Sequence, residues 1–320
     1  MSHASQTFDY KRIYPLLKWI FSIVSIYFFV IQLSKMDNGN LTDIVLQFSK
    51  NPLIFSLVLI LALVNWNAEA QKFKLLIRSE IRLTNIRAFF TILGGMAISN
   101  FTPARSGEYI GRGLLLKKLH PIKVVIATVT GNIAQVLMTY GIGLSCMVVM
   151  AFFGDYGSVW QEFNKVWMLV MVMVLICLLI FFIQPLLRWL KPRIPKKITK
   201  AFKLIKKYDR KLFARVVAIA FIRYTVFAFQ FFLLLQLFSN FSLPVYTIAL
   251  IPIAYVMQSV APVPAISDIG VRVFVTTLLF GGLLSDNAIL HAVTCLWFIN
   301  LILPGLIGTL YLLSSTIRTR

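Results

Sequence analysis

The chain has 320 residues, of which 59% are hydrophobic and 13% are charged, with a formal net charge of +21. A soluble domain carries roughly 25% charged residues, so water is excluded as the solvent for most of this surface. The basic residues sit between apolar runs, where membrane topology places them, so the charge does not point to nucleic acid. Cys146, Cys177 and Cys295 lie inside apolar runs and read as small core residues, not as a disulfide framework or a metal cage. His3, His120 and His291 are far apart and form no ligand pattern, so no cofactor is expected.

In chain order, Met1 to Tyr14 is polar and mildly basic, without the short apolar region and cleavage site of a removable signal peptide. Runs at 15–33 and 52–70 are each long enough to cross ~30 Å of hydrocarbon. The stretch 88–118 is hydrophobic but broken by Ser99-Asn100-Phe101-Thr102-Pro103-Ala104-Arg105-Ser106-Gly107-Glu108. Proline blocks helix continuation, and broken backbone survives at membrane depth only where protein or a water-filled cavity surrounds it. This stretch is therefore expected to be a re-entrant hairpin. Crossings follow at 122–152 and 166–188. The segment 188–215 is basic. Ile198, Phe202, Ile205 and Leu212 recur at helical spacing within it, which suits an amphipathic helix on the cytoplasmic leaflet or a solvated linker. A fifth crossing is read at 213–238. A second broken stretch, 246–284, contains Pro262, Pro264, Ser267, Asp268 and Gly270, and a sixth crossing lies at 288–313.

The expected fold is an all-α polytopic membrane protein of six full transmembrane helices and two re-entrant helical hairpins. With this layout 27 of the 32 Lys and Arg fall on the cytoplasmic side, counting Lys18 at the cytoplasmic end of the first run, and only Lys35, Lys50 and Lys165 fall outside. The asymmetry puts both termini in the cytoplasm, in an inner membrane of bacterial type. Residues 1–152 and 153–320 each run span, span, hairpin, span, with opposite starting sides. That is the pattern of an inverted repeat. Such a repeat brings two broken helices toward the midplane from opposite faces, with helix N-termini that favour an anionic group.

Charge within the membrane costs ~3 kcal/mol or more per residue near the centre. Arg105, Glu108 and Arg112 follow the first break at i,i+3 and i,i+4 spacing, and Asp268 and Arg272 follow the second at i,i+4. These groups either neutralise one another and fasten the hairpins, or hold a phosphate. In the second case the arginines contact the phosphate through their planar forks and the carboxylates orient them. Asn100, Ser106 and Ser267 stand beside them as polar candidates. Asn65, Asn67 and Glu69, Asn132 and Gln135, Arg223 and Gln230, and Asn300 are further polar residues in apolar runs, for which interhelical hydrogen bonding is the commoner meaning.

Asn100-x-x-Pro103-x-Arg105-x-Gly107-Glu108-x-x-x-Arg112 resembles a signature of the lysylphosphatidylglycerol synthase/flippase transmembrane family. Pro264 to Arg272 resembles that family's second signature, with Ala265 and Ile266 replacing glycines and Val273 standing where a glutamate is usual. The resemblance implies a flippase-like lipid-handling domain with two re-entrant hairpins around a central cavity. Anionic membrane lipids are the expected partners, and a homodimer is one assembly left open. The chain ends soon after the last apolar run, so it is not expected to synthesise aminoacylated lipid by itself. A membrane-embedded enzyme acting on a lipid phosphate or a polyprenyl carrier, or a membrane scaffold, is the rival reading. No catalytic constellation is apparent.

Overall fold

The computed structural model describes residues 40–100, 102, 105–116, 119–153, 209–261 and 267–317. The expected crossings at 15–33 and 166–188, and the basic segment up to residue 208, lie outside the described residues.

The described chain is helical throughout its regular elements. Helix α1 (Asn40–Lys50) precedes α2 (Pro52–Ile77), which opens with Pro52 in its first turn, a position where the missing N–H costs nothing. Helix α3 (Asn85–Ser99) starts at Thr84, whose side chain accepts from the Arg87 N–H at 3.3 Å. A break separates α3 from α4 (Gly107–Leu115). Then come α5 (Pro121–Phe153) and α6 (Arg210–Phe238). A 3-10 turn, Val245–Ala249, leads into α7 (Leu250–Ser259), and a second break precedes α8 (Asp268–Phe280). Helix α9 (Asp286–Trp297) runs through a π-helical turn, Phe298–Ile302, into α10 (Leu303–Ile317).

Four segments are long and apolar enough to cross a membrane: Pro52–Ile77, Pro121–Met150, Arg210–Phe238 and Asp286–Ser314. They match the expected crossings at 52–70, 122–152, 213–238 and 288–313. Their outer faces carry exposed Leu53, Ile60, Leu63, Ile133, Phe221 and Leu310. Contiguous apolar surface of this kind has no place in water, and the chain is a helical membrane protein.

The two interrupted stretches are helix–break–helix units. At 15 residues α3 is about 22 Å long and at nine residues α4 is about 13 Å, so neither crosses the hydrocarbon alone. They pack antiparallel. A Cβ on Gly107 would sit 2.6 Å from the Ile98 carbonyl, and one on Gly111 would collide with the Gly94 carbonyl. Glycine at both positions permits that backbone approach. Within the break the Thr102 hydroxyl accepts from the Gly107 N–H at 2.7 Å, which satisfies a donor at the start of α4.

The two units approach from opposite ends of the bundle. Asn85, at the open end of the first, accepts from Lys74 at 2.6 Å. Lys74, Arg78 and Arg82 gather at this end, where Lys123 pairs with Glu80. Leu243, before the second unit, accepts from Gln236 at 2.6 Å near the C-terminal end of α6. Asp43, Asp286 and the Gln47–Asn240 contact lie toward that opposite end.

Three expectations are corrected. The second span does not stop at residue 70 but continues to Ile77, carrying Lys72 into the bundle. The stretch between the first two expected crossings, given no element from sequence, contains α1, whose Ile44 and Phe48 pack on the core. Helix α4 begins only at Gly107, so Arg105 does not share its face with Glu108 and Arg112. Arg105 adopts φ 55°, a left-handed conformation that is strained for a residue with a Cβ.

Candidate functional site

Charged groups converge where α2, α4, α5 and α6 meet. Glu69 on α2 is 3% exposed and is the hub of this cluster. Its Oε2 lies 2.5 Å from Lys72 Nζ and 3.0 Å from Arg223 Nη1, and its Oε1 lies 3.1 Å from Arg112 Nη2. Arg112 and Lys72 are each 1% exposed. Arg112 also reaches Glu108 at 3.3 Å and Thr128 at 3.3 Å, and its guanidinium lies 5.0 Å over the Phe73 ring.

A polar chain runs on from this cluster across the bundle. Arg223 donates to Asn65 at 2.9 Å and to Gln135 at 3.2 Å. Asn65 donates to Asn300 at 3.1 Å, Asn300 to Gln230 at 2.9 Å, and Gln230 to the Val58 carbonyl at 2.9 Å. Buried amides thus pair in sequence, as groups cut off from water must.

Beside the cluster lies a cavity of about 530 Å³. Its wall takes Asn100, Arg105 and Glu108 from the first helix–break–helix unit, and Gln258, Asp268 and Arg272 from the second. Glu69, Asn132, Arg223 and Asn300 come from the four spans. Asp268 and Arg272 form a close pair, with Nε at 2.7 Å and Nη2 at 2.6 Å from the same oxygen, Oδ2. Arg105 is exposed to the cavity and makes no hydrogen bond or ion pair with the described residues, although Asp268 lies near enough to attract it. Asn100 donates to the Leu301 carbonyl at 2.9 Å, while its buried Oδ1 has no partner among the described residues.

Of the residues singled out from sequence, Asn100, Arg105, Glu108, Asp268 and Arg272 are brought together around one cavity. Arg112 lies behind the wall, buried against Glu69 and Glu108. Ser106 is exposed and Ser267 buried, and neither is part of the wall. Each of the two helices that follow a break has a carboxylate in its first turn, Glu108 in α4 and Asp268 in α8. Those carboxylates partly complement the positive helix ends. Sequence reasoning missed Glu69 as the hub and did not single out Lys72. The available signal was their i,i+3 spacing.

Five cations, Lys72, Arg105, Arg112, Arg223 and Arg272, face three carboxylates, Glu69, Glu108 and Asp268. The wall itself is balanced, with Arg105, Arg223 and Arg272 against the three carboxylates, and the surplus comes from Lys72 and Arg112 buried behind it; uncompensated charge in a low-dielectric interior is costly, so the cluster as a whole favours an anionic guest. Fold and site together define a polytopic helical membrane protein with an ion-lined cavity between two broken helices. The family described as the lysylphosphatidylglycerol synthase TM region matches residues 16–308, and the chain belongs to it. Among curated proteins, none matches the chain.

Proposed function

We propose that this protein is a flippase-like lipid transporter that admits the anionic headgroup of a phospholipid into the cavity while the acyl chains stay in the bilayer. The observation that carries this reading is a cavity walled by both broken helices and lined by Arg105, Arg223 and Arg272 with three carboxylates, behind which Lys72 and Arg112 add two further buried cations. Family membership supports a lipid-related role. In this reading the two helix–break–helix units are re-entrant, enter from opposite faces and belong to an inverted repeat. The basic end of the bundle faces the cytoplasm, where a bacterial inner membrane presents anionic lipid. Arg105 and Arg272 contact the phosphate. Asp268 orients Arg272, and Glu108 holds Arg112 as electrostatic support behind the wall.

The test is lipid binding and lipid movement in liposomes by the purified chain and by Arg105→Lys and Arg272→Lys. Lysine keeps the charge but loses the bidentate fork. Both variants should fold and purify like the parent yet bind and move lipid at least several-fold less well. Normal folding with undiminished binding in both would leave the arginines as fasteners of the two units and remove the headgroup site.

A further inference from the structure

The end of the bundle opposite the basic one carries an apolar surface away from the cavity, and two elements build it. On α1, Ile44 and Phe48 pack on the core, while Asp43, Gln47 and Lys50 share a polar stripe at i, i+4 and i+7. Val45 and Leu46 occupy the remaining side, and both are half exposed or more. The second element follows α6. There Phe241, Val245 and Tyr246 are exposed, beside the start of the second helix–break–helix unit. The Gln47–Asn240 contact ties the two elements together, as does Phe48 against Phe238 with ring centroids 5.9 Å apart.

The turn that ends α6 holds Phe241 outward. The Asn240 N–H donates to the Leu237 carbonyl at 3.3 Å and the Phe241 N–H to the Gln236 carbonyl at 2.7 Å, the paired bonds of a Schellman end. Such an end needs one left-handed residue, which Asn240 supplies at φ 52°. The residue after it commonly folds an apolar side chain back onto the last turn. Phe241 does the reverse. It is left-handed as well, at φ 60°, an outlier for so bulky a residue, and it is more than half exposed. Strain that turns an aromatic ring outward does not serve packing, so its use lies outside the bundle.

Span lengths set the level of this surface. About 20 residues cross ~30 Å of hydrocarbon. That count leads from Lys74, near the basic end of α2, back to Ile54, just after α1. From Arg215 on α6 it leads to Leu235, one turn before the strained turn. Both elements therefore lie where hydrocarbon meets headgroups. Exposed Leu53, Leu57 and Ile60 continue the apolar strip from α1 down the lipid-facing side of α2.

We infer that α1 and the turn after α6 form one lip that lies in the membrane interface at this end. Val45, Leu46, Phe241 and Val245 sit among the upper acyl carbons, and the Asp43–Gln47–Lys50 stripe faces water. The partner is the lipid leaflet itself, which suits a helix with one apolar and one polar side. The lip holds the start of the second unit at a fixed depth, whatever the cavity binds.

The experiment is spin labelling of the full chain in nanodiscs of phosphatidylethanolamine and phosphatidylglycerol. Nitroxides are attached at Val45→Cys and Val245→Cys, with Asp43→Cys as the aqueous reference and Leu63→Cys as the mid-span reference. The parent treated alike supplies the background from its own cysteines. Collisions with O2, which concentrates in hydrocarbon, are compared with collisions with a water-soluble nickel chelate. The O2-to-nickel ratio at Val45 and Val245 should stand about threefold or more above that at Asp43 and no higher than that at Leu63. Ratios equal to that at Asp43 place the surface in water and overturn the inference. A high ratio at only one of the two sites overturns the single lip. Spin–spin broadening that disappears on dilution with unlabelled chain assigns the surface to a second copy and overturns the lipid partner. Phe241→Asn should melt no lower than the parent, because asparagine accepts the left-handed turn. A lower melting temperature shows the ring packing on the protein and overturns its place in the lip.

Discussion

Replacing Glu69 by Gln keeps the side-chain shape and removes one charge. In the parent this carboxylate sits within 3.1 Å of Lys72, Arg112 and Arg223, two of them 1% exposed. After the substitution Lys72 has no carboxylate, since Glu69 is its one ion-pair partner among the described residues, and Arg112 keeps only Glu108. Removing one member of a buried ion pair costs about 3–5 kcal/mol, because the remaining charge stays desolvated. Glu69→Gln should therefore lower the melting temperature of the detergent-solubilised protein by several degrees, read by size-exclusion or intrinsic fluorescence after heating. Lys72→Met in the same background removes the stranded ammonium and should recover part of the loss, with a coupling of about 1–3 kcal/mol in the double-mutant cycle. A Glu69→Gln variant that melts with the parent, or strict additivity of the two substitutions, would refute the buried-hub argument.

Three further outcomes are expected. Cysteines placed at the exposed positions Asp43 and Ser242 should react with an impermeant thiol reagent added outside intact cells, and one at exposed Arg82 should not. Labelling at Arg82 alone would reverse the proposed orientation. Gly111→Ala should destabilise by about 1–3 kcal/mol, the usual range for overpacking, because its Cβ would meet backbone of α3 rather than a movable side chain. Gly113→Ala, whose Cβ meets nothing, is the control and should melt like the parent. Asn300→Leu should also destabilise, since it removes the link between Asn65 and Gln230 and leaves buried Gln230 with an unanswered oxygen.

Much of the architecture is legible in the amino-acid order, for local reasons. Apolar length alone places four spans, and Pro103 with Gly107 marks the first break between Ser99 and Gly107. The second break likewise falls between Ser259 and Asp268. Helix ends near lipid headgroups are less legible, because Lys72 and Lys74 look like loop residues when counted by charge. Burial against Glu69 makes Lys72 an interior residue instead. The hub itself joins positions 43 residues apart, Glu69 and Arg112, and its other arm joins Glu69 to Arg223 in a different span. Depth in a helix can be read only to about a turn, so pairing across spans is not encoded in any local pattern. The position of Arg105 escapes for the opposite reason. A helix-face argument assumes regular φ and ψ, and Arg105 precedes the helix in a left-handed conformation.

The π-helical turn at Phe298–Ile302 bears on how this chain tolerates insertions and deletions. A π turn is equivalent to one residue inserted into an α-helix. Deleting a single residue there would restore regular winding and leave everything after it in nearly the same phase, because the wide turn already absorbs the extra residue. Gly305 and Gly308 would stay against Asn100 and the Leu93 carbonyl, whereas a deletion in the regular helix just after the π turn would rotate both away by about 100°. The π turn is thus the one described place in this span where a one-residue gap keeps the partners of the last half-helix, and beyond it the same gap changes them all.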